Sequence, residues 1–299
     1  MDSFEKFKKE IADEIRVTVY GFCPVENIKA IYKSEGLHTH HSLAGDYTIM
    51  IKDGTKTIYI TDFGGTYCPM WLPRNSTIVV ENNMITYCRE NFVTTSLCGY
   101  APPKGLTQRN DYDAFFLAIE EAVKLRAKDC RPVISMSSGH DSGAIIAAAV
   151  KLDLEFDVVT VIAKEKRNLI AQRAKYIEER TDAKVNIISL WKPTNNGHEV
   201  VAEHVEEGRV LLSGLGADEA LVTKDWQLCE EFLKEANFAY EQKKLDVRYP
   251  LLDFKVYEEW NRLTPDLRGW LPEKVPLRKY LDSLNFVYTM GTKIPFDVT

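Results

Sequence analysis

The chain has 299 residues, enough for one large or two modest domains, and 45% hydrophobic against 27% charged residues is a composition that can bury a core. The formal net charge of −6 gives no basic footprint and so argues against a nucleic-acid partner. No apolar run approaches the length of a membrane span, and the charged opening MDSFEKFKKE lacks the apolar centre of a signal peptide, so no membrane association and a cytoplasmic location are expected.

Phe4, Phe7, Ile11 and Ile15 fall at helical spacing between Lys and Glu, which predicts an opening amphipathic helix with a packing role. From Arg16 to about Met84 the pattern changes to short β-rich runs, RVTVYGF, DYTIMIKDG, KTIYITDFGG, STIVVENN and MITYC, with KDGT (Lys52 to Thr55) as a hairpin signal. His38, His40 and His41 are close enough to share a metal ion, but lack neighbouring acidic or thiol partners apart from Glu35, so ordinary solvated loop histidines are the competing reading. The six cysteines (Cys23, Cys68, Cys88, Cys98, Cys130, Cys229) are scattered without a C-x-x-C pair and read as reduced thiols. SLCGYAPPKG (Ser96 to Gly105) is dense in Gly and Pro and marks the connection between a small β-rich domain, 1–105, and a second domain, 106–299.

Asp111 to Arg126 returns to helical period, with Phe115, Phe116, Ile119 and Val123 on one side. The stretch RPVISMSSGHDSGAIIAAAV (Arg131 to Val150) then reads as a buried strand, a Ser/Gly turn over Ser137 to Gly143, and an apolar helix. A helix start reached this way leaves backbone N–H groups unpaired where the helix dipole favours negative charge, which makes it a candidate phosphate cradle. Ser137, Ser138, Gly139 and Ser142 are small enough to let an anion approach the backbone, while Asp141 would repel it unless a divalent cation, magnesium, lay between. The plain alternative is a strand-to-helix connection with a Ser/Asp cap. Neither G-x-x-x-x-G-K-[ST] nor G-x-G-x-x-G is present.

Phe156 to Ala163 and Lys184 to Leu190 read as further strands, Arg167 to Arg180 as an amphipathic helix, and Arg209 to Leu212 as a strand delivering SGLGADE (Ser213 to Glu219). This alternation predicts an α/β fold with a doubly wound parallel sheet, whose ligands lie at the carboxyl ends of the strands. Gly214 and Gly216 allow close backbone approach, and Asp218 supplies a second carboxylate that can share magnesium with Asp141 against a pyrophosphate. Asp218 and Glu219 stabilising a helix dipole is the alternative. In DVRYPLLD (Asp246 to Asp253), Arg248 either pairs with Asp253 to fix a turn or contacts substrate.

SSGHDSG resembles the S-G-G-x-D-S pyrophosphate loop of ATP pyrophosphatases, in the form carried by asparagine synthetases. SGLGADE resembles their S-G-E-G-[SA]-D-E, and DVRYPLLD their E-V-R-x-P-[FL]-L-D, in the same order. More weakly, LAGDYTIMIKDGTKTIYITDFGGT is similar to the L-x-G-[DE]-[FY] strand and hairpin of the family's glutaminase half. The resemblance implies an adenine nucleotide alpha hydrolase-like, pyrophosphate-loop domain that binds ATP and magnesium. It implies nucleotide contacts at Met136, Ser137, Ser138, Gly139, Asp141, Ser142, Ile162, Ser213, Gly214 and Gly216, and metal ligation by Asp141 and Asp218. KVPLRKYLDSLNFVYTMGTKIPF (Lys274 to Phe296) resembles the family's K-x-x-L-R segment and its later Lys-x-x-x-P-like stretch. Lys274 and Arg278 are thereby expected to reach phosphates, and Lys293 to stabilise the tetrahedral intermediate and departing AMP, against a solvated surface Lys as the alternative.

Two departures matter. The family's glutaminase nucleophile is an N-terminal cysteine beside its own α-amine, whereas this chain has Asp2 there and an internal Cys23, so glutamine hydrolysis is not expected and the first domain reads as a degenerate, Ntn-type relic. The Glu that serves attacking ammonia is replaced by Leu215, which can neither accept a proton nor hold an ammonium. Relatives such as β-lactam synthetases also replace it and use an amine within the substrate. The expectation is an ATP-dependent carbon–nitrogen ligase joining a small-molecule carboxylate to an amine through an acyl-adenylate, with a homodimer left open. The alternative is a nucleotide-binding or regulatory protein without turnover. Sulfur or amine transfer to a nucleic-acid base is disfavoured by the acidic charge balance.

Overall fold

Side-chain alternation explains the first sheet. Tyr47, Ile49 and Ile51 share one face of a strand and are buried with Ile58 and Ile60 of its neighbour, while Lys52 is exposed. The computed structural model describes residues 15–22, 28, 33, 46–53, 56–61, 77–81, 84–88, 107–162, 166–190, 197–223, 226–269 and 274–288. The chain divides into two units, Met1–Val93 and Thr94–Thr299. The expected boundary at 105/106 lies outside the described residues, as do the expected opening helix up to residue 14, His38, His40, His41, Cys23 and the 96–105 connection.

In the first unit, β1 (Arg16–Phe22), β2 (Asp46–Asp53), β3 (Lys56–Thr61), β4 (Thr77–Glu81) and β5 (Met84–Cys88) form an antiparallel sheet in sequence order. Asp53 faces Lys56 across the antiparallel β2–β3 pair, in keeping with the hairpin that the KDGT signal anticipates. Ile28, Tyr47, Ile49, Ile51, Ile58 and Ile60 form its core, with Ile15 and Val17 packed against them.

The second unit is α/β. Its sheet is parallel throughout, in the order β10 (Asp246–Arg248), β9 (Val210–Leu212), β6 (Val133–Ser135), β7 (Asp157–Ile162), β8 (Val185–Ser189). Helices follow the strands: α1 (Asp113–Arg126) precedes β6, α2 (His140–Lys151) leads to β7, α3 (Arg167–Glu178) to β8, α4 (Gly197–Glu203) to β9, and α5 (Trp226–Glu241) to β10. After β10 come α6 (Phe254–Arg262), α7 (Pro265–Arg268) and α8 (Val275–Ser283). This order is consistent with double winding. From β6 the chain proceeds outward through β7 and β8 and then returns to place β9 on the other side of β6, so the gap between β6 and β9 is the switch point where such sheets open a crevice.

Residue choice fits these positions. Val158 to Ile162 of β7 are buried throughout, as an internal parallel strand requires, whereas Asn186, Ile187 and Ser189 of the edge strand β8 are exposed. The body of α2, GAIIAAA, is buried on all sides, because its short side chains let α1 and α8 approach it closely. None of the described helices is long and apolar enough to cross a membrane.

One expected pairing is corrected. Arg248 does not reach Asp253; it pairs with Asp246, two residues earlier on the same face of β10, at 2.6 Å, and donates to the carbonyl oxygen of Arg126 at 2.6 Å. Asp253 is turned the other way. It caps α6 by accepting the Lys255 N–H at 2.8 Å, and it pairs with the fully buried Arg126 of α1 at 2.8 Å.

Candidate functional site

Two turns leave the carboxyl ends of the strands beside the switch point. The first, after β6, is ordered by its own hydroxyls: the Ser137 N–H donates to Ser142 Oγ at 3.0 Å, the Ser137 and Ser142 Oγ atoms lie 2.9 Å apart, and the Gly139 N–H donates to Ser137 Oγ at 3.1 Å. Gly139 is the N-cap of α2, in extended backbone, so Asp141 falls in the first turn of the helix, where the dipole favours a carboxylate. Ser138, Asp141 and Ser142 are buried.

The second turn follows β9. The Leu215 N–H donates to Ser213 Oγ at 3.2 Å, and Gly216 adopts φ +81°, a left-handed conformation that favours glycine. A Cβ on Gly214 would stand 2.9 Å from Asp141 Cβ and 3.0 Å from the Asp141 carbonyl carbon and the Ser142 nitrogen, so the two turns are in backbone contact and only glycine lets them meet. Asp218 begins a single π-helical turn, Asp218–Thr223.

A third segment closes the arrangement. Lys274, at the head of α8, is 6% exposed and holds a left-handed backbone at φ 47°. Its Nζ lies 2.7 Å from Asp141 Oδ1 and 2.6 Å from Asp141 Oδ2, and it also contacts Asp218 Oδ1. The two carboxylates singled out in the sequence therefore converge on one cation, and that cation is an ammonium.

Beneath the first turn lies a residue that the motifs do not include. Arg173 of α3 is fully buried; its guanidinium donates to the carbonyl oxygens of Ser137 and Gly139, the latter at 3.0 Å, and its Nε donates to the carbonyl oxygen of Val287 at 2.9 Å. Because peptide units are planar and trans, holding the carbonyls of 137 and 139 on this side turns the N–H groups of 138 and 140 to the other. A signal for Arg173 exists in the sequence, since it interrupts the buried stripe Leu169, Ile170, Ala174, Ile177.

His140 is held neutral. Burial lowers its pKa to about 4, against an opposing pull from Asp141 and with a smaller push in the same direction from Lys274 and Arg173. Met136 is buried and extends the β6 ladder by donating to Val159 O at 2.8 Å, and Ile162 ends β7 at the same carboxyl edge. Lys166 and Arg167 line a shallow cavity at the start of α3. Arg278 lies one turn into α8, its N–H bonded to the Lys274 carbonyl oxygen at 3.1 Å. Lys293 lies outside the described residues.

Among the described residues no group of three or more His, Cys, Asp or Glu side chains could hold a metal unaided. Two carboxylates that already share one ammonium do fit magnesium in its usual role, in which one or two carboxylates share the ion with substrate phosphate oxygens. The chain matches no protein-family model and no curated protein.

Proposed function

We propose that this chain is an ATP-dependent ligase of the asparagine synthetase type, which activates a carboxylate as an acyl-adenylate and joins it to an amine without hydrolysing glutamine. In this reading the second unit has the pyrophosphate-loop fold and the first is a glutaminase-like relic. The convergence of Asp141 and Asp218 on one cation, at the switch point of a parallel sheet, supports it best.

The Ser137–Ser142 turn and the start of α2 cradle the polyphosphate, with backbone N–H groups and the helix dipole drawing it in. Asp141 and Asp218 would hold magnesium, which supplies charge neutralisation between themselves and the leaving pyrophosphate. An oxygen of the substrate carboxylate attacks the α-phosphorus, forming an oxygen–phosphorus bond as the bond to pyrophosphate breaks. A neutral amine then attacks the acyl carbon, the acyl carbon–oxygen bond to AMP breaks, and the nitrogen's proton leaves with the departing phosphate or to solvent. Leu215 offers the amine no carboxylate, which favours an amine carried by a substrate over free ammonia.

Exchange of labelled pyrophosphate into ATP, screened across candidate carboxylates, tests this. Exchange with one of them that is lost in Asp141→Ala supports the ligase; exchange retained in that variant removes the metal role of Asp141. Leu215 and the ammonium between the acids favour a second reading, a nucleotide-binding regulatory protein, which predicts ATP binding with no exchange for any carboxylate.

A further inference from the structure

We propose that Lys274 is a tethered counter-ion that makes divalent-metal binding conditional on nucleotide, so that the chain takes up metal and polyphosphate together and holds free metal weakly. The proposal deepens the nucleotide reading above and rests on it for the identity of the polyphosphate.

The geometry is that of a seat already taken. The ammonium touches both oxygens of Asp141 and one of Asp218, on a side chain that is 6% exposed. Two carboxylates brought this close repel each other unless a cation lies between them. A buried ammonium is in turn stable only while its partners remain. The stem is fixed as well, because Lys274 holds φ 47° immediately before the helix start, with Pro276 in the first turn of α8.

A free divalent ion entering this seat must drive the ammonium off both acids and strand it, buried, without an acceptor. A polyphosphate arriving with the metal removes that cost. Its oxygens accept from the displaced ammonium, while the metal takes over both carboxylates. Metal and nucleotide each improve the affinity of the other by the same factor, as linkage requires. The lysine thus selects metal-complexed nucleotide over either component alone.

Manganese(II), titrated in place of magnesium and followed by electron paramagnetic resonance, measures this directly. With the wild-type chain, the α,β-methylene analogue of ATP should tighten manganese binding by about tenfold or more. Lys274→Met should bind manganese without nucleotide about tenfold more tightly than wild type, with most of the coupling gone. If Lys274→Met folds only when manganese is added, as seen by circular dichroism, the metal has replaced the ammonium and the proposal stands. Manganese binding no tighter in the variant than in wild type overturns it, as does a variant that stays unfolded in manganese. If the analogue fails to bind the wild-type chain, the ATP reading fails, while the nucleotide-free comparison between variant and wild type still decides the counter-ion.

Discussion

Arg173 Nη1 donates to the carbonyl oxygen of Gly139 at 3.0 Å, so a fully buried cation underlies the turn whose opposite side faces the switch point. The same guanidinium also holds Ser137 and Val287; its removal takes away the donor to the Val287 carbonyl oxygen and leaves those of Ser137 and Gly139 with the longer 3.3 Å bonds from Ser142 Oγ and the Gly143 N–H. Arg173→Met should therefore cost on the order of 1 to 3 kcal/mol in urea denaturation. Arg173→Lys should recover little of it, because an ammonium cannot reproduce the planar fork of a guanidinium.

Gly214→Ala tests the contact between the turns. The added methyl meets Asp141 Cβ and backbone rather than the end of a flexible side chain, so the turns must separate. The expected cost is about 1 to 3 kcal/mol of stability. Affinity for an ATP analogue, read by calorimetry, should fall further than Gly208→Ala makes it fall, since Gly208 lies in open space.

Asp253 has two tasks, capping α6 and neutralising Arg126. Asp253→Asn keeps an acceptor for the Lys255 N–H but removes the carboxylate charge that faces Arg126, whereas Asp253→Ala removes both. Expected losses are on the order of 3 kcal/mol for Asn and 1 kcal/mol more for Ala, by chemical denaturation. Equal losses would show that the cap contributes nothing.

Acid should weaken the fold before its carboxylates titrate. Burial lowers His198, whose Nδ1 lies 2.8 Å from the Tyr240 hydroxyl, from 6.5 to about 4, and lowers His140 to about 4 as well. As pH falls, the unfolded chain binds these protons first, so the stabilisation is complete above 6.5 and is lost progressively towards 4. The His198 share is on the order of 3 kcal/mol. Urea midpoints at pH 7 and pH 5 should differ less for His198→Gln than for wild type, with the remaining slope carried by His140.

Much of this was legible in the sequence where one period or one motif dominates. Runs such as RVTVYGF and DVVTVI declare strands because their alternation or their apolar continuity survives in a single segment. The helix at Arg167 is likewise plain from its apolar stripe. β10 was not legible, because three residues inside DVRYPLLD are too few to show a period. The roles of Arg126 and Arg173 were hidden for another reason: interrupting an apolar stripe marks such a cation, as it does Arg173, but the carbonyls and carboxylate that surround it come in from distant segments. The nearness of Asp141 and Asp218 follows from motif order and strand topology, but the third partner between them had no sequence cue beyond the phosphate role assigned to Lys274.

The ammonium that joins the two acids follows Asp141 by 133 residues. During synthesis on the ribosome, both aspartates and the strands that carry them emerge well before Lys274 does. Until then the turns beyond the carboxyl ends of β6 and β9 contain an acid pair with no lysine between them, so this unit can lock shut only late in translation. A product released before that lysine is made would keep a loosened centre, open to the proteases that clear unfinished chains.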